Sequence, residues 1–180
     1  MHSEKKLSST CHFKGNVVEV YFDTVELENG KTATRDVVRH KGAVCVAPLN
    51  DKGELLFVKQ FRYALGRELL ELPAGKLDHA HEDALDCCRR ELKEETGCTS
   101  EKITHMGSFV SAPGFCDEKI EMFLAENLQE GENNLDEDEF LDVIPIKLER
   151  AVQMILSGEI TDGKTQALVL KVNEYIKAKK

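Results

Sequence analysis

Three glutamates fall within five residues in the run Arg90-Glu91-Leu92-Lys93-Glu94-Glu95-Thr96-Gly97. On a helix, Glu91 and Glu95 are four apart and Glu94 is three from Glu91, so all three project to neighbouring positions on one side. Like charges so placed repel by about a few tenths of a kcal/mol per pair. A hard divalent cation reverses that sign, because Mg²⁺ prefers carboxylate and phosphate oxygens and keeps several of its waters. Arg90, four residues before Glu94, is placed to hold that carboxylate by a charge-assisted bond. Acidic runs on amphipathic helices are most often solvated surface. The segment upstream favours the chemistry instead: Glu71-Leu72-Pro73-Ala74-Gly75 brings a strand end, a rigid proline and a glycine to the loop feeding the helix, where bare carbonyls can face the same cation.

The elements that must position these groups are legible in outline. From Glu82 to Thr96 the apolar Ala84, Leu85, Cys88 and Leu92 recur at helical spacing, and Gly97 stands where a left-handed cap belongs. Upstream, Asn16 to Leu27 and Thr32 to His40 carry β-branched and aromatic residues around the turn Glu28-Asn29-Gly30, which predicts an N-terminal hairpin. A second pair of strands, Ala43 to Leu49 and Glu54 to Phe61, flanks the turn Asn50-Asp51-Lys52-Gly53. Glu68 to Leu72 then runs into Pro73-Ala74-Gly75, which is expected to break any regular element. Ile103 to Val110 and Lys119 to Ala125 read as strands around the loop Ser111 to Glu118. An acidic loop, Glu130 to Glu139, precedes a strand at Leu141 to Ile146, and helices at Leu148 to Leu156 and Lys164 to Ala178 end the chain.

Composition narrows the partners. The 180 residues hold 24 Lys and Arg against 33 Asp and Glu, a net charge of −9, and 41% are hydrophobic. That suits one globular domain with a full core and a small appendage. With that charge and no long basic stripe, nucleic acid is disfavoured as a partner. There is no apolar run long enough to span a membrane and no signal-like start, so a cytoplasmic protein is expected. The six cysteines, Cys11, Cys45, Cys87, Cys88, Cys98 and Cys116, show no CxxC spacing and read as reduced, small hydrophobes. His79 and His81 read as exposed, since no partner pattern points to them.

The acidic helix and its approach resemble the Nudix box, a glycine, five residues, a glutamate, seven residues, then Arg-Glu-aliphatic-any-Glu-Glu-any-Gly-aliphatic. Gly75, Glu82, Arg90, Glu91, Leu92, Glu94, Glu95 and Gly97 fill it, with Cys98 in the last apolar slot. One departure is visible: six residues, Lys76 to His81, separate Gly75 from Glu82. The flanking segments, Thr34-Arg35-Asp36-Val37-Val38, Val58-Lys59-Gln60-Phe61-Arg62, Glu71 to Leu77, Ser111 to Phe115 and Leu135-Asp136-Glu137-Asp138-Glu139, are similar to the ADP-ribose pyrophosphatase branch of Nudix hydrolases.

That resemblance implies an α/β fold, a mixed-sheet α/β/α sandwich at residues 42–180, with an antiparallel β extension at 1–41. It implies hydrolysis of ADP-ribose to AMP and ribose 5-phosphate with Mg²⁺, or with Mn²⁺. Glu91 and Glu95 become the main metal ligands, Glu94 an additional one, Ala74 a carbonyl donor, and Glu139 a ligand that completes the site. Glu137 is the expected base, with Asp138 and Glu139 as the other candidates in that loop. Gly75, Glu82, Arg90 and Gly97 hold the box in shape. Arg62 matches a phosphate- or ribose-contacting arginine; read without the family, it pairs with Glu68 or Glu71. Arg35 matches an arginine lying against adenine, or else makes a cross-strand charge pair. Glu118 matches a carboxylate near the terminal ribose or the metals, and Phe115 lines the pocket or the core. In the family the N-terminal hairpin is exchanged across a homodimer. The same residues would serve hydrolysis of another nucleotide sugar, an ADP-hexose or GDP-mannose, while a non-hydrolytic nucleotide sensor would not need the complete acidic set.

Overall fold

A computed structural model describes residues 2–78, 82–132 and 140–179. Strand β4 (Ala43–Pro48) is its centre, with all six residues buried. It runs parallel to β9 (Lys119–Glu126) and antiparallel to β7 (Ala74–Lys76), and β8 (Lys102–Val110) completes a mixed sheet in the order β7-β4-β9-β8. A strand buried on both faces must be apolar throughout, and alternate side chains sort into two cores. Ala43, Cys45 and Ala47 of β4 with Ile120, Met122 and Leu124 of β9 face α2 (Leu148–Leu156) and α3 (Gly163–Ala178). Val44 and Val46 with Phe123 and Ala125 face α1 (Ala84–Thr96). The expected mixed-sheet α/β/α sandwich is therefore the observed arrangement.

A second, antiparallel sheet, β10-β5-β6, is built from β5 (Glu54–Arg62), β6 (Arg67–Glu71) and β10 (Leu141–Lys147). The strands on either side of the Asn50 to Gly53 turn are thus not a hairpin. Asn50 Oδ1 accepts from the backbone N–H groups of Lys52 and Glu54, and Gly53 takes a positive φ of 73°, so the chain reverses tightly. Beyond one bridge at Leu49 and Leu55 the two strands part into different sheets. Leu55 and Phe57 enter one core and Leu56 packs on the other, which requires β5 to pair elsewhere. Pro73 ends β6 as expected, but Ala74 to Lys76 stay extended and pair with β4 rather than ending regular structure.

The N-terminal extension is a three-stranded sheet, not a hairpin. Strands β2 (Val18–Glu26) and β3 (Thr32–His40) are joined by β1 (Lys5–Lys14), whose ten residues are all exposed. With neither face buried, β1 has no hydrophobic alternation to reveal it. The sheet is stitched to the rest through β3: Val38 N–H donates to Phe115 O at 2.7 Å and Asp117 N–H to Val38 O at 3.1 Å. Arg39 Nη1 and His40 N–H both donate to the Asp117 carboxylate, at 2.9 and 2.8 Å.

Candidate functional site

Helix α1 begins where Asp83 caps it, accepting from Leu85 N–H and Asp86 N–H, and ends at Gly97, whose φ of 72° lets its N–H close back onto Lys93 O. Its inward side carries Cys87, Cys88 and Leu92, as helical spacing requires, and also Glu91 and Glu95. These glutamates are only 7% and 2% exposed, so they are not the solvated acidic face that composition alone would favour. Burying a carboxylate costs several kcal/mol unless partners compensate it. Part of the compensation is backbone: Ala74 N–H donates to Glu95 Oε2 at 3.2 Å. Gly75 lets Glu91 lie against it, because a Cβ there would lie 1.8 Å from Glu91 Oε1 and 1.9 Å from its Cδ and would displace the carboxylate.

Arg90 binds the box together. Its Nη1 donates to Glu91 at 2.6 Å and Glu94 at 3.0 Å, and its Nη2 donates to Lys76 O at 3.2 Å. Glu82 stands 3.6 Å from Nη2 and accepts from Asp78 N–H at 2.6 Å, so it supports Arg90 despite the extra residue before it. Ala74, Gly75, Glu91, Glu94 and Glu95 line one cleft of about 780 Å³. Their donors are hard oxygens, the class that Mg²⁺ and Mn²⁺ take and softer metals do not. Gly75 keeps clear the space where Glu91 lies. Among the described residues no three acidic, histidine or cysteine side chains converge on one point, and Arg90 holds two of the three carboxylates.

Cations line the same cleft. Arg62 makes a bidentate pair with Glu71, Nε to Oε1 at 2.7 Å and Nη2 to Oε2 at 2.9 Å, which joins two sequence readings: it pairs with Glu71 and it faces the cleft. Burial pushes the Glu71 carboxyl up, but Arg62 and Lys164 beside it more than offset this and hold it below the ordinary carboxylate range. Lys164, in the first turn of α3, was not singled out by sequence reasoning. It pairs with both Glu71 and Asp162, and only the 93-residue return of the chain brings it there. His40, Lys41, Gln60 and Asn16 also line the cleft without any sequence signal.

The remaining expected site residues are placed as follows. Glu118 lines the cleft, and its carboxylate lies 3.7 Å from His40 Nδ1. Phe115 is exposed and contributes its carbonyl to β3. Arg35 does not line this cleft; it is half-buried on β3 and pairs with Glu4. Glu137, Asp138 and Glu139 lie outside the described residues, as do His79 and His81. Cys45, Cys87, Cys88 and Cys98 are buried packing groups, and burial pushes the Cys87 and Cys88 thiols up to about 12, which leaves them unreactive near neutral pH.

The chain is 42% identical over 181 residues to the ADP-ribose pyrophosphatase of Bacillus subtilis, covering 98% of this chain and 97% of that protein. It is 40% identical to the methanol dehydrogenase activator of Bacillus methanolicus, over 99% and 98% of the two chains. A solved structure described as an ADP compounds hydrolase superposes with a TM-score of 0.87 over 99% of this chain and 97% of that one, at 19% identity, which speaks for the fold. The NUDIX domain model matches residues 38–166, a stretch that holds the buried glutamates, Arg90, Arg62 and Lys164, and the chain belongs to the Nudix family.

Proposed function

We propose that this Nudix hydrolase is an ADP-ribose pyrophosphatase: water adds to one phosphorus of the pyrophosphate link, the bridging oxygen leaves with the other, and the products are AMP and ribose 5-phosphate. The observation that carries the reading is the burial of Glu91 and Glu95 at a cleft they share with Arg62 and Lys164. Buried carboxylates beside a cleft are kept for chemistry more readily than for stability. The full-length likeness to the Bacillus subtilis enzyme supports ADP-ribose as substrate.

Glu91, Glu95, Glu94 and the Ala74 carbonyl are the residues to hold a divalent cation, Mg²⁺ foremost and Mn²⁺ next, with Glu139 from the acidic loop. The bound cation supplies Lewis-acid polarisation of the phosphoryl oxygens and a more acidic water. Arg90 orients Glu91 and Glu94 through its Nη1. Arg62 retains guanidinium donors beyond those used by Glu71 and turns them on the substrate phosphates. Glu118 accepts from the distal sugar, and Glu137 takes the proton of the attacking water.

Residues 1–41 act as an extension that pairs two copies, and residues 42–180 as the catalytic domain. Arg35, which does not line its own cleft, reaches that of the partner in the homodimer. Exposed Phe13 and Phe22 on the extension, with Tyr63 93% exposed after β5, supply apolar surface for that association. The described residues contain no helix long and apolar enough to cross a membrane, and the enzyme works in the cytoplasm.

The test is AMP release from ADP-ribose, beside GDP-mannose and an ADP-hexose, with Mg²⁺ and then with excess chelator. Chelator-sensitive turnover strongest on ADP-ribose is the expected result. Preference for another nucleotide sugar overturns the substrate, and tight nucleotide binding without turnover overturns the enzyme.

A further inference from the structure

We propose that Lys164 is a second substrate-binding cation and that Glu71 is a positioning residue, holding Lys164 and Arg62 side by side with donors directed at the substrate's diphosphate. The proposal rests on the ADP-ribose pyrophosphatase reading of the same cleft. Glu71 is 1% exposed, and both of its oxygens are already engaged by the bidentate Arg62. One guanidinium suffices to neutralise a buried carboxylate, yet Lys164 Nζ donates to Glu71 Oε2 as well. Asp162 brings a second carboxylate to the ammonium, which is only 13% exposed and pays its own desolvation cost for standing at the cleft.

Lys164 is held from two further directions. Its Nζ donates to Asp162 Oδ2 at 3.0 Å, and the same oxygen accepts from Thr165 N–H as the cap of α3. Thr165 Oγ1 in turn accepts from Leu72 N–H at 2.9 Å, so Lys164 and Thr165 of α3 dock on Glu71, the last residue of β6, and on Leu72 after it. The first turn of α3 is thereby fixed in register with Glu71. Two of the three ammonium donors are taken by Glu71 and Asp162, and the third belongs to a side chain that lines the cleft. With Asp162 included, the group is near neutral. What it offers an anion is directed N–H donors at a fixed spacing rather than excess charge, the form of preorganisation that favours a diphosphate over a single point charge.

The experiment compares wild type with Lys164→Gln, Lys164→Arg and Glu71→Gln, measuring KM and kcat for ADP-ribose at fixed Mg²⁺, the inhibition constant of inorganic pyrophosphate, and Tm. Lys164→Gln is expected to raise KM and weaken pyrophosphate together by about ten- to a hundredfold, the weight of one charge-assisted bond. In the same variant kcat changes by about threefold or less. Lys164→Arg restores both constants to within about threefold. Glu71→Gln, which leaves both cations in place but loosens them, raises KM as well. If Glu71→Gln fails to fold, Glu71→Asp replaces it, since it keeps the charge that pairs with both cations but draws their anchor back by one methylene, and a KM unchanged from wild type overturns the positioning role. A fall in Tm with KM and pyrophosphate inhibition unchanged makes Lys164 a counter-ion of Glu71 only and overturns the proposal. If the wild type does not turn over ADP-ribose, the functional reading fails on its own, and direct pyrophosphate binding to the same variants still decides the role of Lys164.

Discussion

Replacing Gly75 by alanine tests whether the position of Glu91, and not merely its presence, sets the activity. The backbone of Gly75 lies in β7 with no positive φ, so alanine adopts it without strain. The added Cβ meets Glu91 Oε1 at 1.8 Å, Cδ at 1.9 Å and Oε2 at 2.4 Å, where ordinary contact begins at 3.4 Å. The carboxylate must therefore retreat by about 1.6 Å, and because it is the far end of a flexible side chain, it can do so by rotation. A misplacement of about 1 Å in a catalytic group costs on the order of a hundredfold in rate. The fold gains back part of any strain, since alanine restricts the unfolded chain by about 0.4–1 kcal/mol relative to glycine. Gly75→Ala is thus expected to lose about a hundredfold in kcat on ADP-ribose while its unfolding free energy stays within about 1 kcal/mol of wild type. Steady-state kinetics and urea denaturation read the two quantities. Unchanged kcat refutes the claim that Glu91 must occupy its place against Gly75, and loss of cooperative unfolding refutes the claim that only the carboxylate moves.

Glu95→Gln, which keeps the acceptor for Ala74 N–H but removes a charge, should lower kcat by at least about a hundredfold with Tm unchanged or higher; full activity would remove Glu95 from the metal-ligand set. Thr165→Val leaves Leu72 N–H buried without its acceptor and should destabilise by about 1–3 kcal/mol in denaturant melts, and a neutral effect would show that the tie between α3 and the β6–β7 link is dispensable. Acid sensitivity should depend on Glu71: its carboxyl lies below its ordinary 4.5 in the folded protein, so it stabilises above that value, and the contribution is lost as pH falls through the lowered one. Tm measured from pH 6 down to about 3 should therefore fall less steeply in Glu71→Gln than in wild type, and parallel curves would refute the linkage.

What could be read from the residues in order was whatever depends on near neighbours. The period of α1, its Gly97 cap and the i, i+4 acidic pair belong to one helix, and the structure places them as their spacing requires. Helical spacing put the glutamates together but gave no reason to bury them; only the packing of α1 on β4 and β7 takes Glu91 and Glu95 inward. Strand β1 was invisible because an all-exposed strand is under no pressure to alternate. Lys164 was invisible for a different reason, since its meaning lies in Glu71, 93 residues away. Arg62 stood between two readings that sequence must treat as rivals, and a guanidinium with five donors satisfies both.

The exposed strand β1 ends the extension sheet, and its outer side offers a row of backbone groups that another strand could add to. Two irregularities interrupt that row, between Lys6 and Ser8 and between Cys11 and Phe13, so an incoming strand cannot keep step along its length. Lys5, Lys6 and Lys14 place ammonium groups at both ends, which a docking strand would have to strip of water. The extension thus exposes Phe13 and Phe22 beside an edge that offers no continuous backbone ladder, so recognition there is left to side-chain shape.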